Sequence, residues 1–225
     1  MTECTTAADY TDIFGTDDDF GESHCFTYVQ AIRPEELLRE LKAPRIAPGT
    51  GTAVTGLNAL REWTNELYRL GEHTFEEVQP VGVVPVGDWT LMVEYNGFMG
   101  TEPEVMLPVT RGRTAVSHMA NVSPVGPFYW YVDGAVRMSY DEDPYLRSGD
   151  RPDGLLDVMR AVGFGPMEDP DEDWDEDADE VKSLVPAKFA LAHHVTGVRL
   201  TRRLLETAEF TCGLVTKPVP SWLRA

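Results

Sequence analysis

A two-residue turn, Asp133-Gly134, constrains the fold of this chain more than any other feature of its sequence. It separates residues 128–132 from residues 135–140, and both segments are mainly apolar or aromatic. An Asp-Gly pair readily adopts the positive φ angles of the tight turns that join antiparallel strands. The sequence therefore predicts a β-hairpin at this point.

Other segments of the same kind precede the hairpin. Residues 24–32 and 89–95 combine aromatic and β-branched side chains, residues 113–122 are also predicted to form a strand, and Asn96-Gly97 is a second strong turn pair. Sequential strands joined by short turns are typical of an antiparallel meander, because parallel neighbours need long crossovers. We therefore expect an α+β fold: an antiparallel β-meander sheet of four to six strands packed on helices, with a single layer of helices mainly on one face.

Helices are predicted on both sides of this strand-rich part of the chain. Pro34 suits the first turn of a helix, and Leu37, Leu38 and Leu41 then lie on one face. Apolar residues recur at helical spacing over residues 57–70. Further helices are predicted over residues 155–162, 181–195 and 201–205, and a final strand over residues 210–215.

The composition divides the chain into a short arm and one domain. Residues 1–22 are polar and acidic, so we expect a flexible N-terminal arm. Residues 23–225 are expected to form a single α+β domain that carries an acidic loop at residues 168–180. A hydrophobic fraction of 42% in 225 residues is sufficient for a core.

The net charge of −19, from 38 acidic and 19 basic residues, limits the partners of the chain. A field of this sign repels nucleic acid phosphates and anionic membrane surfaces. It favours a basic protein partner, cations, or solubility alone. We therefore expect no nucleic acid partner and no membrane association.

Two further features of the sequence indicate a cytoplasmic protein. The N-terminal residues lack the basic start and apolar stretch of a signal peptide. No apolar run approaches the roughly 20 residues that cross a bilayer.

The chain carries no intact catalytic or cofactor motif. Its cysteines, Cys4, Cys25 and Cys212, are widely spaced, and its five histidines have no metal-binding spacing. The glycine-rich loop at residues 48–56 lacks the lysine of a phosphate-binding loop. We therefore expect no cofactor, no metal and no catalytic residue, which favours a protein that is not an enzyme.

The acidic tract at residues 168–180 is the most distinctive segment, since ten of its thirteen residues are Asp or Glu. Its acids fill the ligand positions of a calcium-binding loop, but Trp174 occupies the position where the sharp turn needs glycine. A solvated acidic loop is therefore favoured over a calcium site. Trp174 either packs on the core or anchors a partner. The candidate partner-binding residues are Asp171, Asp173, Trp174, Asp175 and Asp177.

Two single residues could carry chemistry. Glu94 lies in the apolar segment 89–95, where alternation places it on the same face as Met92. A glutamate that is salt-bridged or faces solvent is favoured over a catalytic acid or base. Cys25 is interpreted as a small core residue. A nucleophilic pair of Cys25 with His118 across the sheet is the alternative.

The order of several phrases resembles an actinobacterial family of uncharacterised proteins, domain of unknown function 6461. The phrases are Cys25-Phe26-Thr27 before Pro34-Glu35-Glu36-Leu37-Leu38, the segment Trp89 to Gly97, Ala115-Val116-Ser117, Asp133-Gly134 and Thr196-Gly197-Val198. The resemblance covers roughly residues 22–215. It implies one domain and a bacterial cytosol, and it assigns no activity and no site residues.

These observations favour an acidic binding protein for a basic macromolecular partner. Immunity or inhibitor-type proteins that block nuclease toxins are proteins of this class. One alternative is a small-molecule-binding sensor, or an enzyme of unknown reaction, with a pocket between the sheet and the helices. Another is an assembly subunit that pairs through a sheet edge such as residues 210–215.

Overall fold

A computed structural model describes residues 5–13, 23–43, 53–71, 73–120, 126–165 and 184–218. In these residues the strands form one open, eight-stranded antiparallel sheet of order β2-β8-β3-β4-β1-β5-β6-β7. The strands are β1 (His24–Gln30), β2 (Ala53–Thr55), β3 (Val78–Val86), β4 (Trp89–Tyr95), β5 (Thr114–Ala120), β6 (Phe128–Val132), β7 (Ala135–Tyr140) and β8 (Glu209–Thr216).

The predicted α+β class and the antiparallel sheet are confirmed, but the predicted number of four to six strands is wrong. The additional strands are the three-residue β2 and the proline-containing β3, whose Pro80 and Pro85 weaken the strand signal. The order also departs from a simple meander, because β1 lies between β4 and β5. Among the described strands, only β3-β4 and β5-β6-β7 are neighbours both in the sequence and in the sheet.

The hairpin predicted from Asp133-Gly134 is confirmed. Asp133 has a φ of 52° and Gly134 a φ of 73°, and Val132 pairs with Ala135 directly before and after the turn. Positive φ at both central residues is the geometry that matches the twist of the two strands. Asp133 also accepts a hydrogen bond from the Gly112 N–H, at 2.8 Å.

Helices cover both faces of the sheet. The described helices are α1 (Pro34–Glu40), α2 (Gly56–Arg69), α3 (Pro103–Val109), α4 (Leu156–Val162), α5 (Leu184–Thr196) and α6 (Arg202–Thr207). Helices α2, α4, α5 and α6 pack on the face that carries Phe26, Leu91 and Val116, which we call the α5 face. Helices α1 and α3 pack on the opposite face, the α1 face, which carries Met92 and Ala115.

The single helical layer expected from the sequence is therefore incomplete, because the α1 face has a layer of its own. The physical reason is the burial of the central strands. Every residue of β4 is buried, and so are the first six of the seven residues of β1, so both faces of the sheet need cover. No helix in the described ranges is long and apolar enough to cross a membrane.

Part of the segment predicted as a flexible arm lies on the domain instead. Residues Ala7–Tyr10 form a short 3-10 helix, and the side chains of Tyr10 and Ile13 are only 1% exposed. The Tyr10 ring stacks on Phe189 of α5, with 5.8 Å between ring centroids. Burial of one large apolar side chain contributes about 1.5–3 kcal/mol, which offsets part of the entropy cost of ordering the segment.

Candidate functional site

An open recess of about 430 Å³ lies at the end of the sheet where β4 ends and β1 begins. Helix α2, the loop before β3 and the turn after β4 close its sides. Its lining residues are Ser23, Asn65, Tyr68, Phe75, Tyr95, Asn96, Phe98 and Met119. Half of these residues are aromatic, whereas a second recess, beside Arg33 at the other end of β1, has Trp89 as its one aromatic lining residue.

Two of the four rings are unusually exposed for their type. Phe75 is 40% exposed and Phe98 is 38% exposed, and the exposed Leu70 lies at the adjoining end of α2. The Phe75 ring contacts Tyr68 edge to face, at 6.2 Å between centroids. Exposed apolar side chains that cluster around a recess mark a binding surface more often than a structural feature.

Local backbone geometry places each ring. Tyr68 is fixed by its hydroxyl, which donates to the Val78 carbonyl at 3.1 Å. After β4 the chain turns at Asn96, which has a φ of 50° and whose N–H donates to the Ser23 carbonyl at 2.8 Å. This turn leads into a 3-10 helix, Met99–Thr101, and leaves Phe98 at the mouth of the recess.

Lys217 places a positive charge against two of the rings that line the recess. It follows β8, and its backbone N–H donates to the Glu77 carbonyl at 2.9 Å. Its Nζ lies 3.3 Å from the centroid of the Phe75 ring and 5.2 Å from that of Phe98, which is cation–π geometry. Burial lowers the pKa of Lys217, and the carboxylates of Glu94 and Glu76 oppose that shift.

A polar cluster lies on the α1 face. Ser117 Oγ is 2.9 Å from Thr27 Oγ1 and 3.3 Å from Cys25 Sγ, and all three residues are buried. Glu94, also buried, accepts hydrogen bonds from the N–H groups of Met99 (2.7 Å) and Gly100 (2.9 Å).

The side chains of this cluster have a structural role. Burial raises the pKa of Glu94 to about 7, although the two N–H donors act to lower it. Burial also raises the pKa of the Cys25 thiol well above its usual range. A buried, protonated thiol is not a nucleophile. The expectation that Glu94 is salt-bridged or faces solvent is wrong, because its carboxylate instead holds the backbone turn that carries Phe98. The interpretation of Cys25 as a small core residue is confirmed.

A second buried polar group lies on the α5 face. The His118 ring packs against Phe26 and Phe189, and neither of its nitrogens has a hydrogen-bond partner among the described residues. The nearby Lys188 is 1% exposed, and its Nζ donates to the carbonyls of Met119 and Gly126. Burial lowers the pKa of His118 well below its usual range and that of Lys188 to about 7. Cys25 lies on the α1 face, so the alternative Cys25–His118 pair does not form.

Sequence reasoning missed both the recess and Lys188. The signal for Lys188 was present, because it is the one Lys or Arg in the otherwise mainly apolar helix α5. The recess had a weaker signal. Phe75 and Phe98 are large apolar residues in short polar connections, but only the fold brings their segments together. In the described part of the chain, no group of three or more His, Cys, Asp or Glu residues is placed to hold a metal ion.

The predicted partner-binding residues, Asp171, Asp173, Trp174, Asp175 and Asp177, lie outside the described residues, as does the whole acidic tract. Their role stays a prediction.

Comparison with known proteins gives one result. No curated protein and no solved structure matches the chain. A protein-family model matches residues 3–219, which is nearly the whole sequence. The chain therefore belongs to the family of unknown function DUF6461.

Proposed function

We propose that this chain is a cytoplasmic binding protein of actinobacteria, without catalytic activity of its own, that recognises a basic macromolecular partner. The observation that carries the proposal is the excess of 38 acidic over 19 basic residues. An immunity or inhibitor-type protein that covers the cationic cleft of a nuclease toxin is the kind of protein that this charge suits. Complementary charge speeds encounter and selects such a partner.

The ion pairs of the described residues support this proposal. Most of them join an arginine to an acid of the same chain at the surface, as in the pairs Arg113–Glu40 (2.8 Å), Arg147–Asp153 (2.9 Å) and Arg202–Glu206 (2.8 Å). Basic side chains that are locally neutralised in this way contribute little to the outer field. The unpaired acids then dominate the field that an approaching protein meets.

The buried polar cluster also supports recognition over catalysis. The groups with nucleophilic or acid–base chemistry, Cys25, Ser117 and Glu94, are fully buried and are engaged with one another or with backbone. A substrate would have to open the α1 face to reach them.

The test is capture from native host lysate at low and at high salt, about 50 mM and about 500 mM NaCl, with mass spectrometry of the bound proteins. Two variants of equal net charge sharpen it. One replaces Asp171, Asp173, Asp175 and Asp177 with Asn. The control replaces four exposed acids elsewhere, in the changes E35Q, E62Q, D88N and E142Q. The proposal predicts one basic protein at low salt, its loss at high salt, and weaker capture by the first variant than by the control.

The small-molecule alternative is favoured by one observation, the aromatic recess. The recess lies at an end of the sheet, and residues of β4, β5 and helix α2 line it. A thermal-shift screen of metabolites tests this alternative, and a ligand that raises the melting temperature of the wild type but not of a Phe98→Leu variant would favour it.

The assembly alternative has less support. Strand β8 lies between β2 and β3, and β2 pairs with Glu209, Phe210 and Thr211, so this part of the predicted edge is not open to a second chain. At the β7 edge, the carbonyls of Val136 and Arg137 accept hydrogen bonds from the N–H groups of Asp150 and Arg151. That part of the edge is therefore not open to a second strand.

A further inference from the structure

We propose that the recess at the end of the sheet is an ammonium-binding site, and that it receives a lysine side chain of the basic partner. The inference rests on the proposed function and names the contact through which a cation would be held. The acidic field would bring the partner close, and the recess would fix its position.

The first argument is the arrangement of the rings. Tyr68, Phe75, Tyr95 and Phe98 line one recess from four separate parts of the chain. The face of an aromatic ring carries partial negative charge and attracts an ammonium group within about 6 Å of its centroid. Several rings around one space are the usual way in which proteins hold alkylated ammonium groups, and a lysine ammonium is attracted to ring faces in the same manner.

The second argument is that an ammonium group of the chain itself already lies on these rings. Lys217 Nζ is 3.3 Å from the Phe75 centroid and 5.2 Å from that of Phe98. Its contacts are with Phe75 and Phe98, whereas Tyr68 and Tyr95 line the rest of the recess. The side chain of Lys217 therefore acts as an internal occupant that an incoming lysine must displace or share space with.

The third argument is the polar lining and the local charge. Asn65 and Asn96 line the recess and carry side-chain oxygens that can accept hydrogen bonds from an ammonium group. The carboxylates of Glu76 and Glu94 act on the Lys217 ammonium group and oppose the lowering of its pKa by burial. Both effects favour a cation over an anion.

The test uses two small probes that differ only in charge. Nα-acetyl-L-lysine amide carries the ammonium group, and Nα-acetyl-L-norleucine amide has the same stem without it. Each is titrated into the full chain and followed by two-dimensional ¹H–¹⁵N NMR at constant ionic strength. The lysine probe is expected to shift amide signals around Phe75 and Phe98, and the norleucine probe is not.

Three variants decide whether the rings bind the charge. Phe98→Leu keeps an apolar side chain but removes the ring face, and should lower the affinity for the lysine probe about fivefold. Lys217→Met removes the internal occupant and should strengthen binding severalfold. Leu146→Ala changes another exposed apolar residue, 76% exposed and not part of the recess lining, and should leave binding unchanged. Phe75→Leu replaces Phe98→Leu if circular dichroism shows that the latter is misfolded.

Three results would overturn the inference: equal shifts with both probes, unchanged affinity in Phe98→Leu, or loss of binding in Lys217→Met. The last result would show that the Lys217 side chain forms part of the site and does not compete for it. Failure here is distinguishable from failure of the proposed function. If a basic protein captured from lysate binds Phe98→Leu as tightly as wild type, only the recess inference fails. If the lysine probe binds but no basic protein is captured, only the proposed function fails.

Discussion

On the α1 face of the sheet the buried carboxylate of Glu94 accepts two backbone N–H groups, whereas on the α5 face the buried ring of His118 has no hydrogen-bond partner among the described residues. The first arrangement fixes a turn, and through Phe98 it shapes the recess. The second leaves polar atoms in an apolar core, where they lower stability. Burial of polar groups therefore positions a surface on one face and lowers stability on the other.

The largest effect is expected at Lys188. Burial lowers its pKa from 10.5 to about 7, so between these values the unfolded chain binds more protons than the folded chain. Stability from this group is present at alkaline pH and falls as the pH decreases, by about 3–4 kcal/mol between pH 10 and pH 7. When the free energy of unfolding in urea is plotted against pH over this range, wild type should show this decline and Lys188→Met should not. Parallel curves would contradict the assignment.

The next largest effect is expected at Gly100, which packs on the α1-face cluster. A Cβ there would lie 1.8 Å from Thr27 Oγ1 and 2.5 Å from Ser117 Oγ. Gly100→Ala should lower the free energy of unfolding by about 3 kcal/mol, because the strands cannot move apart. The control is Gly112→Ala, where nothing lies within 4 Å and only the φ of 69° opposes a side chain. That change should reduce stability by about 1 kcal/mol. Equal losses in the two variants would mean that the cluster is not tightly packed.

Glu94 should give a pH dependence in the acid-to-neutral range. Its pKa is raised by burial from 4.5 to about 7, so the folded chain holds a proton that the unfolded chain has lost. Stability from this group is therefore highest at low pH and falls by about 2–3 kcal/mol as the pH rises from 5 to 8. Glu94→Gln should lack this decline. A decline of the same size in the variant would show that Glu94 does not titrate as described.

The smallest effects compare the adjacent residues Ser117 and His118, which point to opposite faces. Ser117→Ala should lower stability by about 1 kcal/mol, because Thr27 Oγ1 and Cys25 Sγ lose a partner. His118→Phe should raise stability by about 1 kcal/mol, because an apolar ring takes the place of an imidazole whose two nitrogens have no partner among the described residues. Chemical denaturation measures the free energy of unfolding of both variants. Two changes of the same sign would remove the distinction between the faces.

The sequence predicted the local elements better than their arrangement. The Asp133-Gly134 hairpin and the alternation of Leu91, Met92 and Val93 follow from nearest-neighbour rules, and all are confirmed. The insertion of β1 between β4 and β5 depends on long-range pairing that no local pattern encodes. Strand β3 contains Pro80 and Pro85, so its signal was weak.

The candidate site was less predictable than the fold. Its rings belong to α2, a connecting loop, β4 and the turn after β4, and none of these segments indicates binding by itself. Burial of Glu94 was equally hidden, since an acid in an apolar strand usually faces solvent or a salt-bridge partner. Its partners are backbone N–H groups of Met99 and Gly100, which a sequence does not mark as donors.

The capture experiment at two salt concentrations tests the central claim, recognition of a basic partner, most directly. The account predicts that wild type retains one basic protein at about 50 mM NaCl and releases it at about 500 mM, since screening shortens the range of the acidic field. The Asp→Asn variant of residues 171, 173, 175 and 177 should retain less of it than the control of equal charge. Absence of any basic protein at low salt, or capture that salt does not weaken, would contradict the account.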